Sequence, residues 1–160
     1  MPDFRIRLIE NSDYDWITKL LTNEWGSVEV VTRGVIHHTD KLLGFIAEYK
    51  SQLVGLVTFN IKDKNCEIVT LNSHLEGKGI GTALIDAVKT VACSNNCKRL
   101  WLITTNDNTT AMRFYQKRGF ELVAVHRNAL EHSRKLKPSI PLAGIDNIPL
   151  RDEIEMEMAL

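Results

Sequence analysis

Leu75-Glu76-Gly77-Lys78-Gly79-Ile80-Gly81-Thr82 sets three glycines at alternate positions, with a strand-like run before them and a helix-like run after them. A glycine-rich turn that opens a helix gathers unpaired backbone N–H groups and the positive end of a helix dipole, a setting suited to phosphate. Glycine at 77, 79 and 81 lets the backbone approach such a group without a Cβ in the way. A flexible turn at a helix start accounts for one glycine and poorly for three.

Two common phosphate motifs fail on residues they need. A Walker loop requires Lys then Ser or Thr after its last glycine, and here Gly81 is followed by Thr82 and Ala83. A dinucleotide fingerprint counted from Gly79 and Gly81 meets Leu84 where the third glycine belongs. No acidic residue ends the following strand, Leu100-Trp101-Leu102-Ile103-Thr104, to hold a ribose.

Working outward, Phe4 to Leu8 alternates apolar and basic residues as a strand. Asp13 to Trp25 reads as a helix presenting Trp16, Ile17, Leu20 and Leu21, with Ser12 as its cap and Gly26 as its stop. Residues 27–41 leave strand, loop and short helix open. Leu43 to Tyr49 and Leu53 to Ile61 form a hairpin about Lys50-Ser51-Gln52, and Asp63-Lys64-Asn65 turns into Glu67 to Leu71. Leu84, Ala87, Val88 and Val91 give the helix after the glycines an apolar face. A strand at 100–104, a helix from Asn108 to Arg118 stopped by Gly119, and a strand from Phe120 to His126 follow. Ile154, Met156, Met158 and Leu160 alternate with Glu153, Glu155 and Glu157 in a last strand with one buried and one acidic face. The order predicts a mixed α/β domain, antiparallel hairpins preceding a β–loop–α–β unit, with 1–160 as a single domain.

The run Leu71 to Leu84, followed by Asn108-Thr-Thr-Ala111-Met-Arg-Phe-Tyr115-Gln-Lys-Arg-Gly119-Phe120, resembles the GCN5-related N-acetyltransferase (GNAT) superfamily. Its signature is Gln/Arg-x-x-Gly-x-Gly/Ala, then Asn, Ala and a Tyr leading into Gly-Phe. The resemblance covers Leu43 to Phe120 well and Phe4 to Trp25 loosely, and gives 128–150 no counterpart. Glu76 departs from the pattern, replacing Gln/Arg with a negative charge. The resemblance implies the GNAT acyl-CoA fold with splayed central strands, and acetyl-CoA as co-substrate. It implies backbone pairing of the pantetheine arm at Val69 and Leu71, and pyrophosphate binding by the amides of Gly77, Lys78, Gly79, Ile80, Gly81 and Thr82.

Acetyl transfer to an amine needs a held carrier, a polarised carbonyl, a neutral amine and a protonated leaving thiolate. The Leu71 amide is the candidate to polarise the carbonyl. By the same resemblance Tyr115 is the general acid, against the reading of a core aromatic beside Phe114. Asn108 bonds the pantetheine amides, caps its helix, or does both. Glu67 is the candidate base, sharing a face with Val69 and Leu71 if no bulge intervenes; the commonest family position falls instead on Asn65. A solvent-facing strand glutamate is the equal alternative, and Glu48 a weaker base candidate. On the acceptor side Trp25 and Arg33 are substrate candidates, Arg33 for a carboxylate. His37-His38 with Asp40 resembles a metal cluster only superficially, and no metal is expected.

Arg127 to Asp152 is too long for a plain connection and too apolar for disorder, so it is expected to pack as a lid or against a partner chain. Its Arg134, Lys135 and Lys137 read as a solvated face, or, on a sharper reading, as a site for an anionic substrate or the cofactor's phosphates. Balanced charge, 20 basic against 20 acidic residues, points to neither nucleic acid nor an anionic membrane. The start lacks a secretory layout and no apolar run is of membrane-spanning length. Cys66, Cys93 and Cys97 are odd in number and lack a CxxC pair, as expected of buried thiols in a reduced, cytoplasmic protein. The expected function is N-acetylation of a small-molecule or peptide amine, the alternative a non-catalytic CoA-binding sensor. The last strand and the long connection could support a homodimer.

Overall fold

A computed structural model describes residues 3–160. A seven-stranded sheet runs in the order β1(Phe4–Leu8), β4(Leu43–Tyr49), β5(Gln52–Lys62), β6(Asn65–Ser73), β7(Arg99–Thr105), β9(Glu153–Ala159), β8(Glu121–His126). Every pairing is antiparallel except β6 with β7. The parallel pair is joined by α2(Ile80–Ser94), whose Ile80, Leu84, Ile85 and Val88 pack on Phe59, Ile68, Leu100 and Leu102. Leu84 and Val88 are fully buried, each worth about 1.5–3 kcal/mol. α3(Thr109–Gln116) adds Tyr115 to the same core, and α1(Tyr14–Trp25) covers the opposite face with Ile17, Leu20 and Leu21 on Ile46 and Leu56.

The segment 27–41 forms a second, two-stranded sheet, β2(Glu29–Thr32) with β3(Val35–His38), closed by Arg33 and Gly34 at φ 48° and 75°. Two more hairpins use the same left-handed pair of residues, Lys50-Ser51 and Asp63-Lys64. Such turns match the twist of the strands they join, which is why β5 reaches back to Gln52 and β6 to Asn65.

Two expectations change, the Ser12 cap and the burial of Cys93. Ser12 does not cap α1. The chain enters through a 3-10 turn at Asn11–Asp13, where the Glu10 amide donates to Asp13. The last strand is not an edge available to a second copy, because β9 lies between β7 and β8. The connection after β8 contains a further helix, α4(Ala129–Leu136). Cys66 and Cys97 are buried as expected, whereas Cys93 is exposed.

Arg7 ties β1 to the start of α1. Its guanidinium donates to both oxygens of Asp13 (2.7 and 2.9 Å) and to Glu48 on β4 (3.0 Å). That fork holds the Asp13 carboxyl below its usual range, against the opposing effect of burial. A depressed carboxylate contributes stability above the unfolded value of about pH 4, lost as pH falls through the folded value. Asp13→Asn should therefore cost about 2–4 kcal/mol at neutral pH, and denaturant melts should show that cost shrinking in acid.

Candidate active site

Pairing between β6 and β7 covers only Asn65↔Arg99 to Ile68↔Leu102. Beyond it β6 stays with β5 as far as Ser73, while β7 stays with β9 as far as Thr105. The strands therefore diverge, and the edge of β6 from Val69 onward that would face β7 has no strand partner. A bulge falls at the same point. Thr58 opposes Thr70 and Phe59 opposes Ile68, so Val69 is the additional residue. A 2.6 Å bond between the buried Thr58 and Thr70 hydroxyls holds the register beyond it.

The divergence opens a cavity of about 600 Å³. Val69 to Leu71 and Leu102 to Thr105 form its floor, Asn108, Ala111 and Tyr115 one wall, and Trp25 with Val30 to Thr32 another. Tyr115 is 9% exposed, set edge-on between Phe114 and Phe120. Burial pushes its phenol well above the usual value, against a smaller lowering by Arg118, so the hydroxyl remains protonated. Asn108 caps α3, its Oδ1 accepting from the Ala111 amide at 3.1 Å, which leaves its NH₂ free toward the cavity it lines.

Glu67 does not share a face with Leu71. The bulge at Val69 shifts the alternation, so Leu71 joins Cys66 and Ile68 on the α2 side while Glu67 faces the β2–β3 hairpin. Its carboxylate is buried, accepts from the Thr32 hydroxyl (3.0 and 3.1 Å), and lies 3.4 Å from Nε2 of His37. It does not line the cavity, whereas Thr32 does. His37 is thus a buried strand residue, 2.8 Å from the Thr32 hydroxyl.

Glu153 is a carboxylate that does line the cavity, 2% exposed at the start of β9. It accepts from the Arg33 amide and from Arg33 Nη1, both at 3.1 Å. Arg33 is engaged there instead of facing a substrate carboxylate. The alternation in the last strand predicts Glu153 on an exposed acidic face. It is buried because the hairpin lies over that end of the strand, a contact between residues far apart in sequence. Trp25 lines the cavity at the C-terminal end of α1.

The connection from 128 to 150 walls the cavity with Leu130, Ile140, Ile145 and Leu150. Its bases are not a solvated face. Arg134 donates to the carbonyls of Ile140, Pro141 and Leu150, and Lys137 Nζ to those of Trp25 and Glu29, both at 2.6 Å. Desolvation lowers the Lys137 ammonium below its usual value. Lys135 alone of the three is exposed. Asp107 accepts from the Ile145 amide at 2.8 Å and pins the far end.

The glycine turn follows β6 directly. Gly77 and Gly79 have φ of 72° and 77°, with open space where a Cβ would stand. Gly79 is the N-cap of α2 and no side chain caps the helix, so the amides of its first turn are free donors. Gly81 has a different reason: a Cβ there would lie 2.9 Å from the Phe114 ring, so it allows α2 and α3 to meet. Arg118 stands at this helix start, donating to Thr82 Oγ1 at 2.9 Å and stacking over Phe114. Lys78 and Glu76 are exposed.

The chain is thus a mixed α/β protein whose sheet splays at its one parallel pair, with a free backbone edge leading into an uncapped helix N-terminus. Residues 10–120 match the Acetyltransferase (GNAT) family model, and the chain belongs to that family. It is 45% identical over 139 residues to the uncharacterised protein YdhI of Bacillus subtilis, covering 86% of this chain and 87% of that one. To YxbD, also uncharacterised and from the same organism, it is 42% identical over 141 residues, 88% and 89% of the two chains. Among solved structures it shares the fold of an IAA acetyltransferase from Bacillus cereus (TM-score 0.75, 22% identity, 98% and 99% covered). A GNAT acetyltransferase from Elizabethkingia anophelis with acetyl-CoA bound also matches (TM-score 0.72, 19% identity, both chains fully covered). No helix among the described residues is long and apolar enough to cross a membrane.

Gly81→Ala should cost about 1–3 kcal/mol through overpacking against Phe114. Thermal melts of Gly81→Ala with Phe114→Leu should recover most of that loss, which a purely phosphate-facing glycine would not allow.

Proposed function

We propose that this acetyltransferase moves the acetyl group of acetyl-CoA to a primary amine. The observation that carries the reading is the unpartnered edge of β6 at Val69–Leu71, opening onto a cavity that ends at Tyr115 and continuing into the bare first turn of α2. The N–H and C=O groups of Val69 and Leu71 suit the amides of a pantetheine arm, with the Leu71 amide polarising the acetyl carbonyl. The amides from Gly77 through Thr82 suit the pyrophosphate, and Asn108 a pantetheine amide. Lys78 and Arg118 bring the positive charge that Glu76 does not. Arg118 was not singled out from sequence, because its approach to Thr82 depends on the packing of α3 against α2.

Tyr115 is assigned as general acid and Glu153 as the base that takes a proton from the acceptor. Glu67 is the second reading for the base. It is supported by Thr32, which lines the cavity while donating to the Glu67 carboxylate.

Thiol release measured with an amine panel tests these assignments. Tyr115→Phe should lower kcat about 100-fold or more with the KM for acetyl-CoA little changed. Because burial keeps the phenol protonated, the native enzyme should show no loss of rate from this residue up to about pH 10. Glu153→Gln should also lower kcat about 100-fold, and Glu67→Gln less than about 10-fold. The reverse order would make Glu67 the base. Tight acetyl-CoA binding without turnover on any amine would favour a CoA-binding sensor.

A further inference from the structure

The half of the cavity away from α3 has a composition that bears on the acceptor. Its wall is apolar, formed by Trp25, Val30, Leu130, Ile140, Ile145 and Leu150. Its charge is one-sided. Glu24, Asp107 and Glu153 line it, and Lys137 is the one cation among the described lining residues. Lys137 is not available to an anion, since its ammonium is buried and donates to two main-chain carbonyls. Arg33 lies against Glu153 and outside the lining. Asp107 takes one bond on each oxygen, from Thr105 and Ile145, and so is tied to the rim of the site. Glu153 takes one bond on each oxygen, both from Arg33, which leaves lone pairs for a further donor.

A ligand carboxylate placed here would meet anions and no free cation among the described lining residues, an arrangement that disfavours amino acids. The cavity is also roofed. The connection above it is bonded down through Arg134, Lys137 and the Ile145 amide, so a polypeptide would have to displace those bonds to thread through.

We infer that the acceptor is a compact lipophilic primary amine without a carboxylate, drawn in as its ammonium by Glu153 and seated against Leu130, Ile140 and Leu150. The inference rests on the acetyltransferase reading above. The ammonium gives one proton to the Glu153 carboxylate. The freed nitrogen lone pair forms the N–C bond. As the C–S bond breaks, its electron pair leaves on sulfur, which takes the Tyr115 proton. The remaining extra proton on nitrogen returns to the tyrosinate through water, and the proton on Glu153 passes to solvent.

The test compares 2-phenylethylamine with L-phenylalanine, the same body with a carboxylate added, and with a short peptide bearing a free N-terminus. Acetyl-CoA affinity is measured separately by calorimetry. The native enzyme should favour phenylethylamine over both by about 100-fold or more in kcat/KM. Glu153→Gln should raise the KM for phenylethylamine about 10-fold or more at unaltered acetyl-CoA affinity, which also certifies its folding, and Glu153→Asp should recover part of the loss. Ile140→Arg, which gives the wall a free cation, should shift preference toward phenylalanine. Equal use of phenylalanine, preference for the peptide, or turnover of none of the three by protein that binds acetyl-CoA would overturn the acceptor assignment. Failure to bind acetyl-CoA would overturn the acetyltransferase reading itself.

Discussion

The parallel ladder of β6 and β7 ends at Ile68 and Leu102 because each strand is held more firmly by its other neighbour. β6 remains paired to β5 through the bulge at Val69, which adds twist and turns the strand away. β7 remains paired to β9 up to Thr105↔Glu153. Closing the gap would break one of those antiparallel ladders, so the opening is built into the sheet and does not depend on a ligand. Its cost is a stretch of backbone donors and acceptors without partners in a half-apolar cleft, where each buried unpaired group costs about 1–3 kcal/mol. A ligand that is itself an extended chain of amides answers that deficit directly. This is why the free edge, more than any side chain, defines what the cleft accepts.

Around that opening, charged groups serve first to fix the elements that shape it. Arg33 joins the hairpin to β9 through Glu153, and Lys137 joins the connection to the end of α1. The Lys137 contact falls where the Trp25 carbonyl closes the last turn of α1, the negative end of that helix, which suits an ammonium. The result is a cavity whose walls are bonded to one another and whose lining cation is committed, with Glu153 buried on it and keeping lone pairs for another partner. The proposed selectivity against anions would then follow from how the fold is held together.

Elements governed by local pattern were legible in the sequence. Alternation located β1 and the last strand, the Lys50-Ser51-Gln52 turn located the β4–β5 hairpin, the helical period located α1 and α2, and Gly119 marked the end of α3. The two spaced motifs brought the glycine turn, Asn108 and Tyr115 to one region. What was not legible arises from contacts between distant residues. The bulge at Val69 is visible only against β5, and it moved Glu67 off the expected face. The hairpin of 27–41 carries no strong alternation and turns on Arg33-Gly34, so its cover over Glu153 could not be foreseen. Arg134 and Lys137 read as a solvated run until the carbonyls they serve are known. Even Gly81, correctly placed in the motif, owes its identity to Phe114 across a helix contact.

Burial around Tyr115 raises a question of acidity that the chain itself helps answer. A phenol pushed upward by desolvation is a weaker acid, which by itself would slow proton delivery to a departing thiolate. The same apolar surroundings act on the thiolate. Cys66, a thiol in the core of this protein, is pushed up to about 12, mainly by burial. Under the proposed mechanism a sulfur leaving inside the cleft would also be penalised for carrying charge, so donor and acceptor shift in the same direction. Proton transfer is then governed by geometry, by how closely the hydroxyl approaches the sulfur as the bond lengthens, and Phe114 and Phe120 hold the ring for that approach. Under the proposed role, the aromatic packing that makes Tyr115 resemble an ordinary core residue is also what would hold it in place to donate.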